Sequence, residues 1–154
     1  MTNVTIDTGA LSGSQIESRT GDTIEFFGGI PYAAPPVGDL RWREPQPTEA
    51  WKGVRDASGY APSAPQNIAG EGGFRDSISN TLGFVTHDAN ELEYNEDCLY
   101  LNVFTPDVTA SKKLPVLFWV HGGAHRTGSG SSYPGQELAA KGVVLVTINY
   151  RLGP

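Results

Sequence analysis

The residues best placed to do chemistry are His121-Gly122-Gly123-Ala124, directly after the apolar run Leu114–Val120. Two consecutive glycines at the end of a strand let the backbone enter conformations that a Cβ blocks. A turn of that kind can aim successive N–H groups at one point and form an anion pocket. Acyl transfer requires such a pocket, because the attacked carbonyl becomes an oxyanion that preorganised donors must hold. The bland alternative for Gly122-Gly123 is a sharp turn and nothing more.

The rest of that chemistry is missing from the chain. No serine has glycines two before and two after it; Ser132 comes nearest, with Gly130 before it but Pro134 after. In a serine triad of this type the acid and the histidine follow the nucleophile in chain order, so His87, His121 and His125 are not credited as the base. His121 and His125 stand four apart, which would matter for a metal only on a helix. Gly122-Gly123 argues against a helix, and no glutamate follows His121, so no metal is expected. Gly128-Ser129-Gly130 lacks the third glycine of a dinucleotide loop, where Tyr133 stands. Gly135–Lys141 lacks the second glycine of a phosphate loop, where Ala140 stands. No cofactor is expected.

Two elements must position the turn. Leu114–Val120 and Val143–Asn149 are nearly continuous apolar runs, as in strands covered on both faces, and a short helix over Gln136–Lys141 ends at Gly142. Strand, loop, helix, strand predicts a parallel pair in an α/β sheet, whose ligands gather at the carboxyl ends of the strands. Two such strands leave apolar faces uncovered, so the segment expects further chain. Upstream, Leu99–Phe104 reads as a strand closed by Thr105-Pro106. Residues 1–60 alternate short β-type runs with turns: Val4–Ile6 before Asp7-Thr8-Gly9, then Thr23–Phe27 running into a turn at Gly28-Gly29. A small antiparallel sheet with hairpins is expected there, with Trp42 and Trp51 as partly buried loop anchors. Ala61–Gly73 reads as a surface loop, Asp76–Leu82 as a short helix and His87 as an exposed loop residue.

Composition narrows the partners. With 38% hydrophobic and 18% charged residues, the 154-residue chain has the balance of one globular domain. Its net charge of −6 repels phosphate backbones and argues against nucleic acid. No apolar run approaches the roughly 18–20 residues that span a bilayer. The start lacks the basic and apolar segments of a signal peptide, so a cytoplasmic setting is expected. The single cysteine, Cys98, has no partner for an intrachain disulfide and reads as a small buried hydrophobe rather than a nucleophile.

Several segments together resemble the type-B carboxylesterases, the family that includes cholinesterases and para-nitrobenzyl esterases. They are Phe27–Gly38 (Phe-Gly-Gly-Ile-Pro-Tyr-Ala-Ala-Pro-Pro-Val-Gly), Leu40-Arg41-Trp42, Glu96–Val103 (Glu-Asp-Cys-Leu-Tyr-Leu-Asn-Val), Leu114-Pro115-Val116, Trp119–Ala124 and Asn149–Gly153 (Asn-Tyr-Arg-Leu-Gly). They follow the family's order across nearly the whole chain. The resemblance implies the N-terminal part of an α/β-hydrolase fold, a small antiparallel sheet leading into the first strands of the central sheet. Residues 1–154 would then be the N-terminal portion of one hydrolase domain, ending before the nucleophile elbow and completed by the rest of that domain. It implies a small carboxylic ester as substrate and the main-chain N–H groups of Gly123 and Ala124 as oxyanion donors, with Gly122 supplying the tight turn and a third donor beyond residue 154. It also implies a buried, structural ion pair between Arg41 and Glu96. Two features depart from the family: the cysteine that often pairs with the Cys98 position is absent near Ala64-Pro65-Gln66, and His125 stands where an aromatic usually follows the turn. The isolated segment is expected to be inactive. The alternative is a non-catalytic binding or adhesion relative, distinguished by loss of the downstream serine.

Overall fold

The computed structural model describes residues 1–66, 93–109, 111 and 113–153. The expected helix over Asp76–Leu82 and the loop position of His87 lie outside those residues. Among the described residues the strands are β1 (Thr2–Ile6), β2 (Gly9–Glu17), β3 (Thr23–Pro31), β4 (Val54–Asp56), β5 (Tyr100–Thr105), β6 (Val116–Val120) and β7 (Val144–Ile148), with one short α-helix, α1 (Gln136–Ala139). They form one mixed sheet in the order β1-β2-β3-β5-β7-β6, with β4 added alongside β2.

The N-terminal strands make the expected antiparallel hairpins. Ile6 pairs with Gly9 across the two-residue turn Asp7-Thr8. The second hairpin closes at Ser18–Asp22, where Ser18 N–H donates to Asp22 O at 2.9 Å and Gly21 takes a φ of 84°. The Thr20 and Ser18 hydroxyls donate to the Asp22 carboxylate and lower its pKa. This hairpin layer is continuous with the central sheet, because β3 also pairs with β5. Gly28-Gly29 is therefore not a turn that ends the strand. It is a bulge inside β3, where the register to β5 shifts between Phe27 and Ile30. The bulge lets the backbone lie against Gly59 O, and Gly29 N–H donates to the Asn102 side chain at 3.1 Å. A bulge keeps a strand paired on either side while bending it, which is how β3 continues to Pro31.

Adjacent residues of a strand face opposite sides, so Phe26 and Phe27 enter different cores. Phe26 joins Ile24, Phe104, Ala139 of α1 and Leu145 on one face. Phe26 lies 4.9 Å from Phe104 and 5.0 Å from Tyr60, ring centre to ring centre. Phe27 joins Leu11, Ile30 and Ala57 on the other face. Trp51 is half-buried and its indole donates to Ala10 O at 2.8 Å, as an anchor should. Trp42 is no anchor: it is 79% exposed, at a φ of 63°.

The parallel pair is present as β6 and β7, with Val120 level with Ile148. The expectation that both strands are covered on both faces holds fully for neither: in β7 Leu145 and Thr147 are buried on one face, while Val144, Val146 and Ile148 on the other are half-buried. All five residues of β6 are exposed, from Trp119 at 39% to Val116 at 65%. The reason is its position: β6 is the sheet's last strand, and among the described residues nothing pairs with its outer edge. The helix α1 covers Phe104 and Leu145, on β5 and β7, instead.

Burial therefore predicts very different costs of truncation. Phe104→Ala should lose about 3–5 kcal/mol, the usual range for emptying a packed aromatic site. Val116→Ala should lose no more than about 0.5 kcal/mol, as surface changes do. Urea unfolding of the two variants measures this, and equal losses would contradict the exposed placement of β6.

Candidate active site

Because β6 and β7 run parallel, their carboxyl ends lie side by side, and the segments leaving them meet there. Tyr150, just after β7, donates its hydroxyl to His121 O at 2.6 Å and stacks its ring on the His121 imidazole at 4.3 Å. His121 is 3% exposed. Its Nδ1 lies 2.9 Å from Gly122 O; a carbonyl can only accept, so Nδ1 carries the proton. Burial lowers the His121 pKa below its ordinary value, against a smaller opposing effect of the Gly122 carbonyl. The ring is therefore a neutral spacer that fixes the start of the turn.

The turn itself runs through positive φ at Gly123 (132°), Ala124 (54°) and His125 (59°). Gly123 has no substitute, since a Cβ there would collide with Thr127 O. Its carbonyl faces into the loop and accepts from Arg126 N–H at 3.0 Å and Thr127 N–H at 3.1 Å. In a trans peptide the N–H points opposite the preceding C=O, and the chain has no cis bond among the described residues. The Ala124 N–H consequently faces out of the loop. The same holds one residue earlier: Gly122 O is turned to the His121 ring, so the Gly123 N–H points away from it. Among the described residues neither N–H donates a hydrogen bond within the chain. Gly122 and Ala124 are exposed and Gly123 is half-buried. Two adjacent, unspent amides at the carboxyl edge of a parallel pair can hold a negatively charged oxygen.

The far side of the loop is fastened by residues that sequence reasoning missed. Gly128 N–H donates to Gln66 Oε1 at 2.7 Å, and Gln66 Nε2 donates to Gly128 O at 3.0 Å. Next to it, Ser129 Oγ bonds Asn149 Oδ1 at 3.0 Å and accepts from Ser63 Oγ at 2.7 Å. Asn149 also accepts from Gly130 N–H at 2.7 Å and donates to Pro62 O at 3.1 Å. The stretch read as a surface loop is thus partly interior, with Ser63 and Ala64 at 0% and 1% exposure. Polar residues between prolines look like loop in any sequence pattern, and only their distant partners reveal the burial. The serines of this network touch one another and Asn149, and among the described residues none bonds a histidine. No nucleophile–base pair stands among them.

Arg41 and Glu96 come together: Arg41 Nε and Nη2 both donate to Glu96 Oε2, at 3.2 and 2.6 Å. The pair is not buried, since the two side chains are 57% and 42% exposed. It sits on the rim of an open hollow of about 390 Å³ that Trp42, Cys98 and Arg151 also line, so water reaches it. Cys98 itself is 0% exposed and packs with Ala33, Ala64 and Leu99. Burial, helped by the Asp97 carboxylate, pushes its thiol up to about 11, which keeps it an unreactive thiol. Ala64, in the Ala64-Pro65-Gln66 stretch near which the paired cysteine is absent, packs in the same cluster. His125 stands edge-on to Tyr150 at 6.2 Å and its carbonyl accepts from Gly153 N–H at 2.9 Å, so it borders the turn.

Comparison with known proteins shows the family and the fold. The carboxylesterase family model matches residues 1–154. A medium-chain fatty acyl-CoA hydrolase precursor of Anas platyrhynchos is 47% identical over 94% of the chain and 26% of its own length. Phenmedipham hydrolase of Pseudarthrobacter oxydans is 48% identical over 86% of the chain and 25% of its own length. Para-nitrobenzyl esterase of Bacillus subtilis is 43% identical over 91% and 26%. The solved structure of a PNB esterase superposes with a TM-score of 0.76 at 42% identity, covering 99% of the chain and 28% of that structure. The chain therefore spans about a quarter of the length of these relatives.

Two measurements test the electrostatics. The exposed Arg41–Glu96 pair should show a coupling of only about 0.2–1 kcal/mol in a double-mutant cycle of Arg41→Met and Glu96→Gln. A coupling of several kcal/mol would mean that the pair is shielded from water after all. For His121 the unfolded ring takes up a proton that the buried ring resists, so stability is full above the unfolded value of about 6.5 and falls below it. Urea midpoints should drop between about pH 7.5 and pH 5.5, and His121→Gln should remove most of that drop. An unchanged pH slope in the variant would rule out the neutral buried ring.

Proposed function

Since the chain belongs to the carboxylesterase family and has the α/β-hydrolase fold, we propose that it is the N-terminal portion of a serine carboxylesterase domain and supplies that domain's oxyanion hole. The observation that carries the reading is the pair of unspent, outward-facing N–H groups of Gly123 and Ala124 beside the end of β6. In an ester hydrolase a serine attacks the ester carbonyl while a histidine takes its proton, and the carbonyl oxygen becomes negatively charged. That serine and histidine belong to sequence beyond residue 154. The developing oxyanion accepts from Gly123 and Ala124 N–H, and the residue after the serine gives a third donor. Donors already fixed by the loop need no reorganisation as charge develops, and each such donor is worth roughly 10²–10³ in rate. Collapse of the intermediate expels the alcohol and leaves an acyl-enzyme, which water then cleaves by the same route.

The substrate class is a small carboxylic ester, consistent with relatives whose names record esterase or hydrolase activity. Main-chain donors recognise the carbonyl and not the groups around it, so they leave acyl and alcohol preference to side chains elsewhere. Among the described residues no helix is long and apolar enough to cross a membrane. The free, buried Cys98 supports a reducing, cytoplasmic setting, since disulfides are the rule in oxidising ones.

Purified residues 1–154 should not turn over para-nitrophenyl butyrate, whereas the protein extended through a Gly-x-Ser-x-Gly segment should, with sensitivity to a serine-directed phosphonate. Phosphonate-sensitive turnover by the 154-residue chain alone would overturn the division of labour. An extended protein that carries the serine, acid and histidine yet leaves the ester intact would overturn the esterase reading.

A further inference from the structure

The oxyanion turn is too short to hold itself. Its interior bonds, from Arg126 and Thr127 to Gly123 O, fix one carbonyl but not the distance between the two ends of the loop. Those ends meet at Gly128, whose φ is 112° and whose backbone lies so close to the turn that a Cβ would come within 2.5 Å of His121 Nδ1 and 2.6 Å of Gly122 O. Gly128 thus forms the floor under Gly122, and whatever fixes Gly128 fixes the peptide that precedes the Gly123 N–H.

Gln66 is what fixes it. Its side-chain amide meets both backbone groups of Gly128, accepting from the N–H at 2.7 Å and donating to the C=O at 3.0 Å. This is the pairing that a neighbouring strand would make, performed by one side chain. The amide is itself aimed by a second bond, Nε2 to Ala64 O at 3.1 Å. The segment behind it is anchored at Ser63, which donates to Ser129 Oγ and exchanges backbone bonds with the 93–95 segment at 2.8 and 2.9 Å. Glutamine suits the position because its uncharged side-chain amide offers a donor and an acceptor side by side. Glutamate lacks the donors, and methionine lacks both functions.

We propose that Gln66 is a positioning residue for the oxyanion turn: by clamping Gly128 it sets where the Gly123 and Ala124 N–H groups point. The proposal rests on the oxyanion reading for its catalytic meaning, but the clamp is measurable without catalysis. Displacement of reacting groups by about 1 Å costs on the order of 10²-fold in rate, so a residue that touches no substrate can still matter this much.

Amide exchange and amide chemical shifts, recorded by NMR on the chain, separate positioning from general support. In the native protein the Gly128 amide should be protected from exchange although its loop borders solvent. Gln66→Met should speed Gly128 exchange by about tenfold, the protection typical of one hydrogen bond. It should also shift the Gly123 and Ala124 amide resonances, while the amides of β7 stay as they were. Gln66→Glu keeps the acceptor and should restore Gly128 protection in part. A freely exchanging native Gly128, or Gln66→Met with unmoved Gly123 and Ala124 resonances, would overturn the clamp. In the extended, ester-hydrolysing protein, Gln66→Met should lower kcat with KM little changed; an equal KM effect or an unaltered kcat would overturn the positioning role. If the native extended protein is inert, the esterase reading fails, and the NMR result still decides the clamp.

Discussion

The planarity of two peptide bonds governs the candidate site. The carbonyls of Gly122 and Gly123 are turned inward, one to the His121 imidazole and the other to the Arg126 and Thr127 amides. A trans peptide cannot turn its carbonyl in without turning its N–H out. The outward amides of Gly123 and Ala124 are thus a consequence of satisfying the loop's own acceptors. Such a site costs no buried donor in the resting state, because the two amides lie at the solvent edge where water can meet them. The left-handed residues Ala124 and His125 carry the conformational cost, of order 1–3 kcal/mol each, that strained backbone at functional positions carries.

That strain persists only if the surroundings impose it. On one side Tyr150 holds His121 by a hydrogen bond and a stacked ring. On the other, Gln66 clamps Gly128, and next to it Ser63, Ser129 and Asn149 share a connected set of bonds in which the buried polar side chains have partners. Leaving one such partner unmade costs about 1–3 kcal/mol, so the network favours a single arrangement of the loop rather than several. Tyr150 and Asn149 both follow β7, which places them beside the end of β6 only because those strands are parallel and in register. The sheet's topology and the loop's geometry are in this sense one constraint.

The same sheet explains the apolar surface of β6. The sequence of β6 is that of a strand covered on both sides, and β7, with the same character, is buried on one face, where Leu145 packs under α1 and Thr147 takes a bond from Asn102. For β6 the apolar residues stand exposed at a free edge, a liability that proteins ordinarily shield.

Periodicity and turn chemistry sufficed to locate β6, β7, the first hairpin's turn and the Gly122-Gly123 turn, because each depends on residues close in sequence. The pairing of Arg41 with Glu96 came from resemblance, and its exposure could not, since solvent access depends on what else is folded around the pair. The bulge at Gly28-Gly29 looked like a turn because glycine permits either, and only the continued pairing of Ile30 with Leu101 chose between them. Gln66 and Ser63 carried no local signal at all. Their partners Gly128 and Ser129 lie more than sixty residues away, and a hydrogen bond between distant segments has no period for a sequence to display. By itself, then, the sequence determined the elements and the turn able to offer two amides. Only the tertiary structure decided which way those amides face, because direction is set by the groups that take the opposing carbonyls and hold the loop's far end.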